Sequence, residues 1–422
     1  MLLKNGLYVN LEFKKIEKKD IRILNGIITE IEDELKCVED EEILELANNY
    51  ILPSFVDLHA HFREPGFEEK ETLECGAKAA ISSGYTDVCI MPNTNPILDN
   101  KEIIKWLDEK AKKITDLNIH VVGAISKNEK GNELVDFREY RNTSVKAVSD
   151  DGQPVWNQEL LKQAMKQAKK ENLVVMLHCE KKELVHGSIN KGVVSEMLGD
   201  KGINNASEYL GIKESLELAK EMDAEIHICH ISTKESVEII RKAKLEGIKV
   251  TCEVTPNHIA LNEMEVISQK SIGKINPPLR TKLDQECLLK GLKDGVIDAI
   301  GTDHAPHTKS EKEESLSYAP FGISTLDIAA SIVYTHLVDQ KIIDLFKWAE
   351  IMAINPRRII GLESNHMKIG EKANLCVFNS NDEYIVEAEN MYSKGKNTPF
   401  IGKKLKGIVE YTIKNGNIIY RR

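Results

Sequence analysis

The stretch VDLHAHFREPG at residues 56–66 places His59, His61 and Arg63 at the end of an apolar run. Alternate side chains of a strand share a face, so all three can point toward the same end of a sheet. Two imidazoles together with one carboxylate form a ligand set that suits zinc or a similar ion. A single pair of this kind is equally typical of ordinary buried histidines. Ligand-type residues at other strand ends are therefore needed before the pattern predicts a metal site.

Such residues follow at the ends of later apolar runs. Asp150 and Asp151 follow AVS, His178 follows VVML, and Asp303 follows AIGT. With a histidine from EIHICHIS, this set can hold two metal ions bridged by a carboxylate and a hydroxide. Such a pair lowers the pKa of the bridging water and polarises a carbonyl group, which suits hydrolysis of an amide or its reverse. Asp303 is suited to act as both ligand and general base.

EIHICHIS contains two histidines, His227 and His230, three positions apart. In a regular strand such residues face opposite sides, so at most one of them is expected to point inward. His230 lies nearer the end of the run and is the predicted ligand, whereas His227 is predicted to be structural. Each residue taken alone has an ordinary explanation, so the prediction depends on the whole set in this order.

Short apolar runs alternate with longer helical patterns between residue 54 and about residue 360, which predicts βα units and a parallel sheet. There are eight runs: SFVDLHAHF, TDVCIMPN, LNIHVVGAIS, TSVKAVSDD, NLVVMLHCE, AEIHICHIS, IKVTCEVTP and VIDAIGTDHAP. Eight parallel strands close into a (β/α)8 TIM barrel, whose active site lies at the C-terminal ends of the strands. The ligand-type residues occupy those ends, so one site at the barrel mouth is predicted.

Both ends of the chain have the pattern of short strands and tight turns. Asn25-Gly26 and Asn415-Gly416 are hairpin signals between apolar residues. The two termini are therefore predicted to form one small β-domain. The predicted boundaries are residues 1–53 and 361–422 for this domain and residues 54–360 for the barrel.

Composition narrows the class of protein further. The net charge is −10 and no patch rich in lysine and arginine stands out, which argues against nucleic acid or an anionic membrane as a partner. No apolar run approaches the roughly 20 residues of a membrane span, and the first residues are too polar for a signal peptide. The eight cysteines are scattered without a CxxC pair. These features predict a cytoplasmic protein without disulfides.

The longer motifs resemble those of a known family over nearly the whole chain. They are VDLHAHFREPG, MPNTNP, SDDG, LHCE, CHISTKES, EVTPNH, INPPLR, GTDHAPH and APFGISTLD. The sequence resembles the amidohydrolase superfamily and, within it, the dihydroorotases of the longer, Bacillus-like type. HFREPG and MPNTNP are far more specific than HxH alone. The resemblance implies a reversible cyclisation of N-carbamoyl-L-aspartate to dihydroorotate, in de novo pyrimidine synthesis.

The resemblance also implies a role for individual residues. Two zinc ions per subunit are expected, with His59, His61 and Asp303 on one ion, His178 and His230 on the other, and Asp151 bridging them. Asp303 is the expected catalytic acid and base. The expected substrate-binding residues are His61, Arg63, Asn93, Asn276 and His307, with backbone contacts at Phe321 and Gly322. An arginine grips a carboxylate with two hydrogen bonds, and asparagine donates and accepts at once.

Several alternatives stay open at the level of sequence. Many relatives bridge their metals with a carboxylated lysine, so Lys146 and Asp150 compete with Asp151 as the bridging group. In EVTPNH, Asn257 and His258 stand where similar proteins usually carry two histidines, and no role is assigned to either. The charged segment at residues 308–320 is either a solvated loop or a mobile lid over the substrate.

Two other functions compete with the one that the resemblance implies. A hydantoinase or allantoinase would use the same metals on a different cyclic amide. An inactive barrel could instead serve as a scaffold for aspartate transcarbamoylase, the preceding enzyme of the pathway, although such a subunit is expected to have lost metal ligands. Association with that enzyme is also compatible with an active barrel.

Overall fold

Sixteen β-strands form two sheets in the computed structural model, which describes residues 1–422. The strands are β1 Leu2–Asn10, β2 Lys15–Leu24, β3 Ile27–Glu32, β4 Ile43–Glu45, β5 Tyr50–Pro53, β6 Phe55–Ala60, β7 Tyr85–Ile90, β8 Asn118–Ala124, β9 Ala147–Ser149, β10 Val174–Leu177, β11 Ile226–Ile228, β12 Val250–Val254, β13 Ala299–Ile300, β14 Leu375–Ile385, β15 Lys404–Lys414 and β16 Asn417–Arg421. Each of the eight apolar runs singled out in the sequence overlaps one of the strands β6–β13.

The helices lie mainly between the strands of the barrel. They are α1 Leu73–Ser82, α2 Lys101–Ile114, α3 Gln158–Glu171, α4 Val193–Leu198, α5 Ala206–Met222, α6 Lys234–Leu245, α7 Pro256–Ala260, α8 Glu265–Gln269, α9 Lys282–Lys293, α10 Lys309–Glu313, α11 Ala329–Val333, α12 Leu345–Ala349 and α13 Asn355–Ile359. Many begin at a polar cap, as where Thr233 accepts the backbone N–H of Ser236 at the start of α6. None of the helices combines the length and apolar character required to cross a bilayer.

Strands β6–β13 pair in chain order and all run parallel. The last strand returns to the first, because Asp303 N donates to His59 O at 2.8 Å and His61 N donates to His304 O at 2.8 Å. These hydrogen bonds close the barrel at its C-terminal end, so the predicted (β/α)8 barrel is confirmed. Three of the four residues that close it, His59, His61 and Asp303, are themselves predicted metal ligands.

Apolar residues pack against both faces of the barrel sheet. A small cluster inside includes Val56, Leu58, Met91, Val122 and Met176. A much larger cluster lies between the strands and the surrounding helices. Strands buried on both faces read as continuous apolar runs, which is the pattern in the sequence.

The two ends of the chain form the second sheet, in the order β16-β15-β14-β5-β1-β2-β3, with β4 paired to β1. β14 lies antiparallel to β5, so residues near both termini become neighbours. The second sheet built from both termini is therefore confirmed. The predicted boundaries at residues 53/54 and 360/361 fall between elements, since β5 ends at Pro53, β6 begins at Phe55 and α13 ends at Ile359.

Candidate metal and substrate site

His59 and His61 lie at the C-terminal end of β6 and face the aspartate that follows β13. His61 Nε2 is 3.1 Å from Asp303 Oδ1, and His59 Nε2 is 3.6 Å from the same oxygen. A shift in the pairing of β6 between Asp57 and Ala60 interrupts the regular alternation of the strand. This irregularity brings both rings to the mouth above the interior residues Val56 and Leu58.

Asp151 lies at the centre of the cluster. Its carboxylate oxygens are 3.5 Å from His59 Nε2, 3.5 Å from His61 Nε2 and 3.7 Å from His230 Nε2. Asp150 points elsewhere, since its carboxylate accepts the backbone N–H groups of Ile125 and Ser126 at 2.8 and 3.0 Å. The geometry therefore brings Asp151, and not Asp150, between the two sets of histidines.

His178 and His230 form the other half of the cluster. His178 Nδ1 is 3.0 Å from His230 Nε2 and 3.7 Å from Asp151 Oδ1. His230 adopts a left-handed backbone with φ of 33°, which turns the chain directly after β11. Two unprotonated imidazole nitrogens at this separation repel each other unless a proton or a cation lies between them.

The donor set fits a metal centre. Ligand atoms of His59, His61 and Asp151 lie within 4.8 Å of one another, as do those of Asp151, His178 and His230. His59 Nε2 and Asp151 Oδ1 are buried without a hydrogen-bond partner. Buried polar atoms are normally paired, and imidazole with carboxylate is a ligand set that zinc prefers. The residues at the mouth therefore form two adjoining candidate metal sites that share Asp151.

The charges in the cluster favour a cation at its centre. Burial disfavours a charged imidazole at His59, yet Asp151 and the hydrogen bonds around the ring raise its pKa well above the ordinary value. Burial also opposes the charge of Asp151, but His59 and His230 hold its pKa well below the ordinary value. The pKa of Asp303 is lowered as well, against its burial, by the hydrogen bond with His61. Carboxylates that stay ionised while buried stabilise positive charge between them.

A hydrogen bond at Nδ1 fixes the orientation of the His59 ring and of the His61 ring. His59 Nδ1 donates to Glu253 Oε1 at 3.0 Å, and His61 Nδ1 donates to Asn93 Oδ1 at 3.0 Å. These bonds direct both Nε2 atoms toward the centre of the cluster, which is how metal-binding histidines are usually held. Glu253 was not among the residues predicted from the sequence. Its signal was a charged residue inside the apolar strand VTCEV.

The expectation that only one of His227 and His230 points inward is wrong. His227 Nε2 lies 3.4 Å from Glu253 Oε2, and its Nδ1 pairs with Thr251 Oγ1 at 2.8 Å. Both histidines face the barrel interior because β11 ends at Ile228 and the backbone then turns at His230. His227 lies below the cluster and reaches it only through Glu253, in agreement with a structural role.

Lys146 lies at the opposite end of the barrel from the cluster. It lines a surface cavity with Asn118 and His120 at the start of β8, and with Arg357 of α13. A bridging carbamate would have to lie at the C-terminal ends of the strands. This placement does not support a carboxylated Lys146 as the bridging group.

Arg63 and His307 lie on one side of the mouth. Arg63 has a left-handed backbone with φ of 60°, and its Nε donates to Pro306 O at 3.2 Å. Its Nη2 lies 3.4 Å from His307 Nε2, and that nitrogen donates to Phe321 O at 2.8 Å. Burial lowers the pKa of Arg63 to about 10, so the guanidinium is still charged at neutral pH. A buried cation with free N–H groups is suited to an anionic ligand.

Asn276 lies on the other side of the mouth, beside His178. Its Nδ2 donates to Glu180 Oε1 at 2.9 Å, whereas its Oδ1 is buried without a partner. The sequence reasoning missed Glu180, although it ends the LHCE motif. His258 holds Pro277, the residue after Asn276, because its Nε2 donates to Pro277 O at 3.0 Å. The other ring nitrogen of His258, Nδ1, accepts a hydrogen bond from Thr255 Oγ1 at 2.8 Å.

His258 therefore does not reach the metal cluster with its ring nitrogens, because both are occupied by these partners. Asn257 pairs with Thr325 Oγ1 at 2.9 Å. The two residues of EVTPNH that had no predicted role are thus buried supports of the loops around the mouth.

The segment at residues 308–320 contains α10 and is attached at its base. Thr308 caps α10 by accepting the backbone N–H of Glu311, and Lys274 Nζ donates to Leu316 O at 2.7 Å and Ser317 O at 3.3 Å. Tyr318 is exposed. Closure of this segment over a substrate stays a prediction.

Comparison with solved structures supports the barrel architecture. The L-hydantoinase (dihydropyrimidinase) from Arthrobacter aurescens superposes with a TM-score of 0.87 over 100% of this chain and 96% of its own, at 20% sequence identity. The D-hydantoinase (dihydropyrimidinase) from Thermus sp. superposes with a TM-score of 0.83 over 100% and 95%, at 23% identity. These likenesses establish the class of fold, a parallel (β/α)8 barrel, which in this chain carries a histidine and aspartate cluster at its mouth.

Sequence comparison narrows this class to one family. A Dihydro-orotase-like family model matches residues 48–236. Dihydroorotase from Caldanaerobacter subterraneus subsp. tengcongensis is 42% identical over 100% of this chain and 97% of its own. Dihydroorotase from Elusimicrobium minutum is 41% identical over 99% and 96%. The chain belongs to the dihydroorotase family.

Proposed function

We propose that this chain catalyses the reversible interconversion of N-carbamoyl-L-aspartate and (S)-dihydroorotate, the dihydroorotase step of pyrimidine synthesis. The observation that carries the proposal is the cluster of four histidines around Asp151 at the barrel mouth, in a chain of this family. Asp303 lies against this cluster and Arg63 lies nearby. This arrangement would bring a metal centre, a proton acceptor and a cation for a carboxylate together at the C-terminal end of the barrel.

The cofactor is proposed to be zinc, two ions per subunit. His59, His61 and Asp303 would hold one ion, His178 and His230 the other, and Asp151 would bridge them. When bound, such a pair supplies Lewis acidity to the amide carbonyl and lowers the pKa of the water between the ions. The unpartnered His59 Nε2 and Asp151 Oδ1 support this assignment.

Asp303 is proposed to move the proton of the reaction. In ring opening, its carboxylate takes a proton from the attacking water and delivers it to the ring nitrogen as the C–N bond breaks. In ring closure, it takes the proton from the carbamoyl nitrogen and returns it to the departing oxygen. The contact with His61 Nε2 at 3.1 Å holds the carboxylate at the metal cluster.

The substrate is proposed to lie between the two sides of the mouth. Arg63 would bind the carboxylate that both substrates keep, with His307 and Asn276 binding the remaining polar atoms. Asn93 and His61 would contact the amide side, and Phe321 and Gly322 would bind through their backbone. Gly322 has a φ of 143°, and a Cβ there would lie 2.9 Å from His307 Nε2, so the close approach of this backbone depends on glycine.

A cytoplasmic setting is proposed as well. All eight cysteines are free and five of them are buried, which suits a reducing compartment. Association with aspartate transcarbamoylase stays a prediction, and co-elution of the two purified proteins would test it.

The first experiment measures the absorbance change of dihydroorotate ring opening with zinc-reconstituted protein and with Asp303→Asn. We expect activity in the first and a fall in kcat of about 10²–10⁴-fold or more in the second, because the group that transfers the proton is lost. Asp339→Asn at the surface beside Lys406 is the matched control and is expected to keep full activity.

Zinc content is measured in all three proteins, so that loss of metal is separated from loss of the proton acceptor. A zinc-loaded wild type that opens hydantoin or allantoin but not dihydroorotate would contradict the proposed substrate. A wild type inactive on all three would favour the scaffold. Full activity in a zinc-loaded Asp303→Asn would contradict the role of Asp303.

A further inference from the structure

Lys312 of α10 is a buried lysine whose hydrogen bonds all go to backbone carbonyl groups. Only 2% of the residue is exposed. Its Nζ donates to Pro320 O at 3.0 Å, to Gly322 O at 3.0 Å and to Lys274 O at 3.3 Å. An ammonium group has three donors and no acceptor, so three carbonyl oxygens match its capacity in full.

These three carbonyls belong to the two segments to which the proposed function assigns substrate binding. Pro320 and Gly322 enclose Phe321, whose carbonyl accepts the hydrogen bond from His307. Lys274 precedes Asn276 by two residues and also accepts the backbone N–H of Gly322 at 3.0 Å. One ammonium group therefore joins the backbone next to Asn276 to the backbone on both sides of Phe321.

The helix that carries Lys312 is attached to the same region from its other side. Ser271 Oγ donates to the backbone carbonyl of Lys312 at 2.5 Å, so its main chain as well as its side chain is fixed. Hydrogen bonds therefore hold both the main chain and the ammonium group of Lys312 against the 271–274 segment.

We propose that Lys312 is a positioning residue that sets the spacing between Asn276 and the Phe321–Gly322 backbone, and thereby the affinity for the substrate. The inference rests on the proposed function, because that function assigns Asn276, Phe321 and Gly322 to substrate binding. Lys312 itself does not touch the reacting atoms.

The environment of Lys312 agrees with a role other than stability. Burial and the nearby charge of Lys274 lower its pKa to about 7, while Glu311 acts weakly in the opposite direction. A buried cation without a paired carboxylate costs free energy on folding, which the hydrogen bonds to the three carbonyls offset only in part. The three carbonyls that it orients account for its presence.

The test compares Lys312→Met with Lys309→Met in zinc-loaded protein. Lys309 lies on the same helix with its side chain 90% exposed, and it is the matched control. Methionine keeps the volume of lysine but removes all three donors. We expect KM for dihydroorotate to rise about tenfold or more in Lys312→Met with kcat little changed, because contacts made equally in the ground and transition states affect KM alone. Lys309→Met is expected to keep both constants.

A third variant, Lys312→Gln, retains two N–H donors and is expected to give an intermediate KM, which a merely space-filling residue would not show. If Lys312→Met does not fold, the same comparison is made with Lys312→Gln. An unchanged KM in a folded, zinc-loaded variant would overturn the inference, as would an equal change in Lys309→Met. Because these outcomes require an active wild type, they are distinct from failure of the proposed function, in which the wild type itself does not open dihydroorotate.

Discussion

Glu253 links the metal cluster to the interior of the barrel. One of its oxygens accepts the Nδ1–H of His59, and the other faces His227 Nε2 at 3.4 Å. Gly301 lies against the carboxylate, and a Cβ there would come within 2.2 Å of Glu253 Oε2. The carboxylate therefore occupies space that the neighbouring strand leaves open for it, and it holds His59 Nε2 toward the proposed metal.

Replacing Glu253 with glutamine is expected to weaken zinc binding by about 10- to 100-fold, because the amide no longer holds the His59 ring with a charged acceptor. The measurement is the zinc retained after dialysis against graded concentrations of a chelator. Glu71→Gln is the matched control, since Glu71 is equally buried but contacts Ser393 and His304. Equal retention in Glu253→Gln and wild type would rule out this role.

The sequence was sufficient to single out the residues of the cluster, because six ligand-type residues end five apolar runs in a fixed order. It could not settle which of Asp150 and Asp151 faces the centre. That choice depends on the hydrogen bonds of Asp150 to the loop after β8, which join residues distant in sequence. Glu253 and Lys312 were missed for the same reason. Glu253 opens the EVTPNH motif, but nothing in that motif indicates His59 as its partner, and the sequence around Lys312 does not indicate the carbonyl groups that it binds.

At the scale of elements, Asp87 of β7 and Arg357 of α13 form a buried ion pair at the end of the barrel opposite the site. Arg357 Nη2 donates to Asp87 Oδ2 at 2.9 Å, and Asp87 also accepts from Asn118 and His120. Burial opposes the charge of Asp87, but His120 and Arg357 hold its pKa below the ordinary value. This pair fastens the last barrel helix to the strands.

Arg357→Met is expected to destabilise the protein by about 3–5 kcal/mol at pH 7, because it leaves a buried carboxylate without its cation. The pKa of Asp87 is lower in the folded than in the unfolded state, so the pair stabilises fully above the unfolded value of about 4 and less as the pH falls below it. The gap in Tm between wild type and variant should therefore narrow below about pH 4. Arg358→Met, on the exposed side of the same helix, is expected to leave Tm unchanged. A constant gap across this pH range would contradict the explanation.

The elements themselves were largely predictable. Eight apolar runs gave the eight barrel strands, and the Asn-Gly pairs at Asn25 and Asn415 lie in the turns before β3 and β16. Local distortions were not predictable. The pairing shift in β6 and the left-handed backbone at His230 depend on the neighbouring strands, and together they decide which side chains face inward.

At the scale of the whole molecule, the barrel and the terminal sheet share apolar core. Cys376 and Phe378 of β14 and Val409 of β15 belong to the same buried cluster as Phe55 and Trp348. Hydrogen bonds cross the boundary too: Thr412 Oγ1 donates to Ile81 O at 2.7 Å. The terminal sheet also has a smaller apolar cluster of its own.

Removing residues 404–422, which form β15 and β16, is expected to prevent stable folding of the barrel. The truncation would expose β14 as an unpaired edge and uncover the shared cluster. Size-exclusion chromatography and thermal unfolding would measure the result. Removing only Arg422, which follows β16 and makes surface ion pairs with Asp382 and Glu410, is the control. A monodisperse, active protein lacking residues 404–422 would show that the barrel is an independent unit.

The pairing of β5 with β14 can form only late in the synthesis of the chain on the ribosome, because β14 is translated long after β5. Pro53 pairs with Leu375, and at about 5–20 residues per second the second partner is translated about 15–65 s after the first. Throughout that interval one side of β5 has no partner from its own chain. Nascent chains stalled before residue 375 should therefore be open to cleavage and chaperone binding around residues 50–53, and the finished polypeptide should be resistant there.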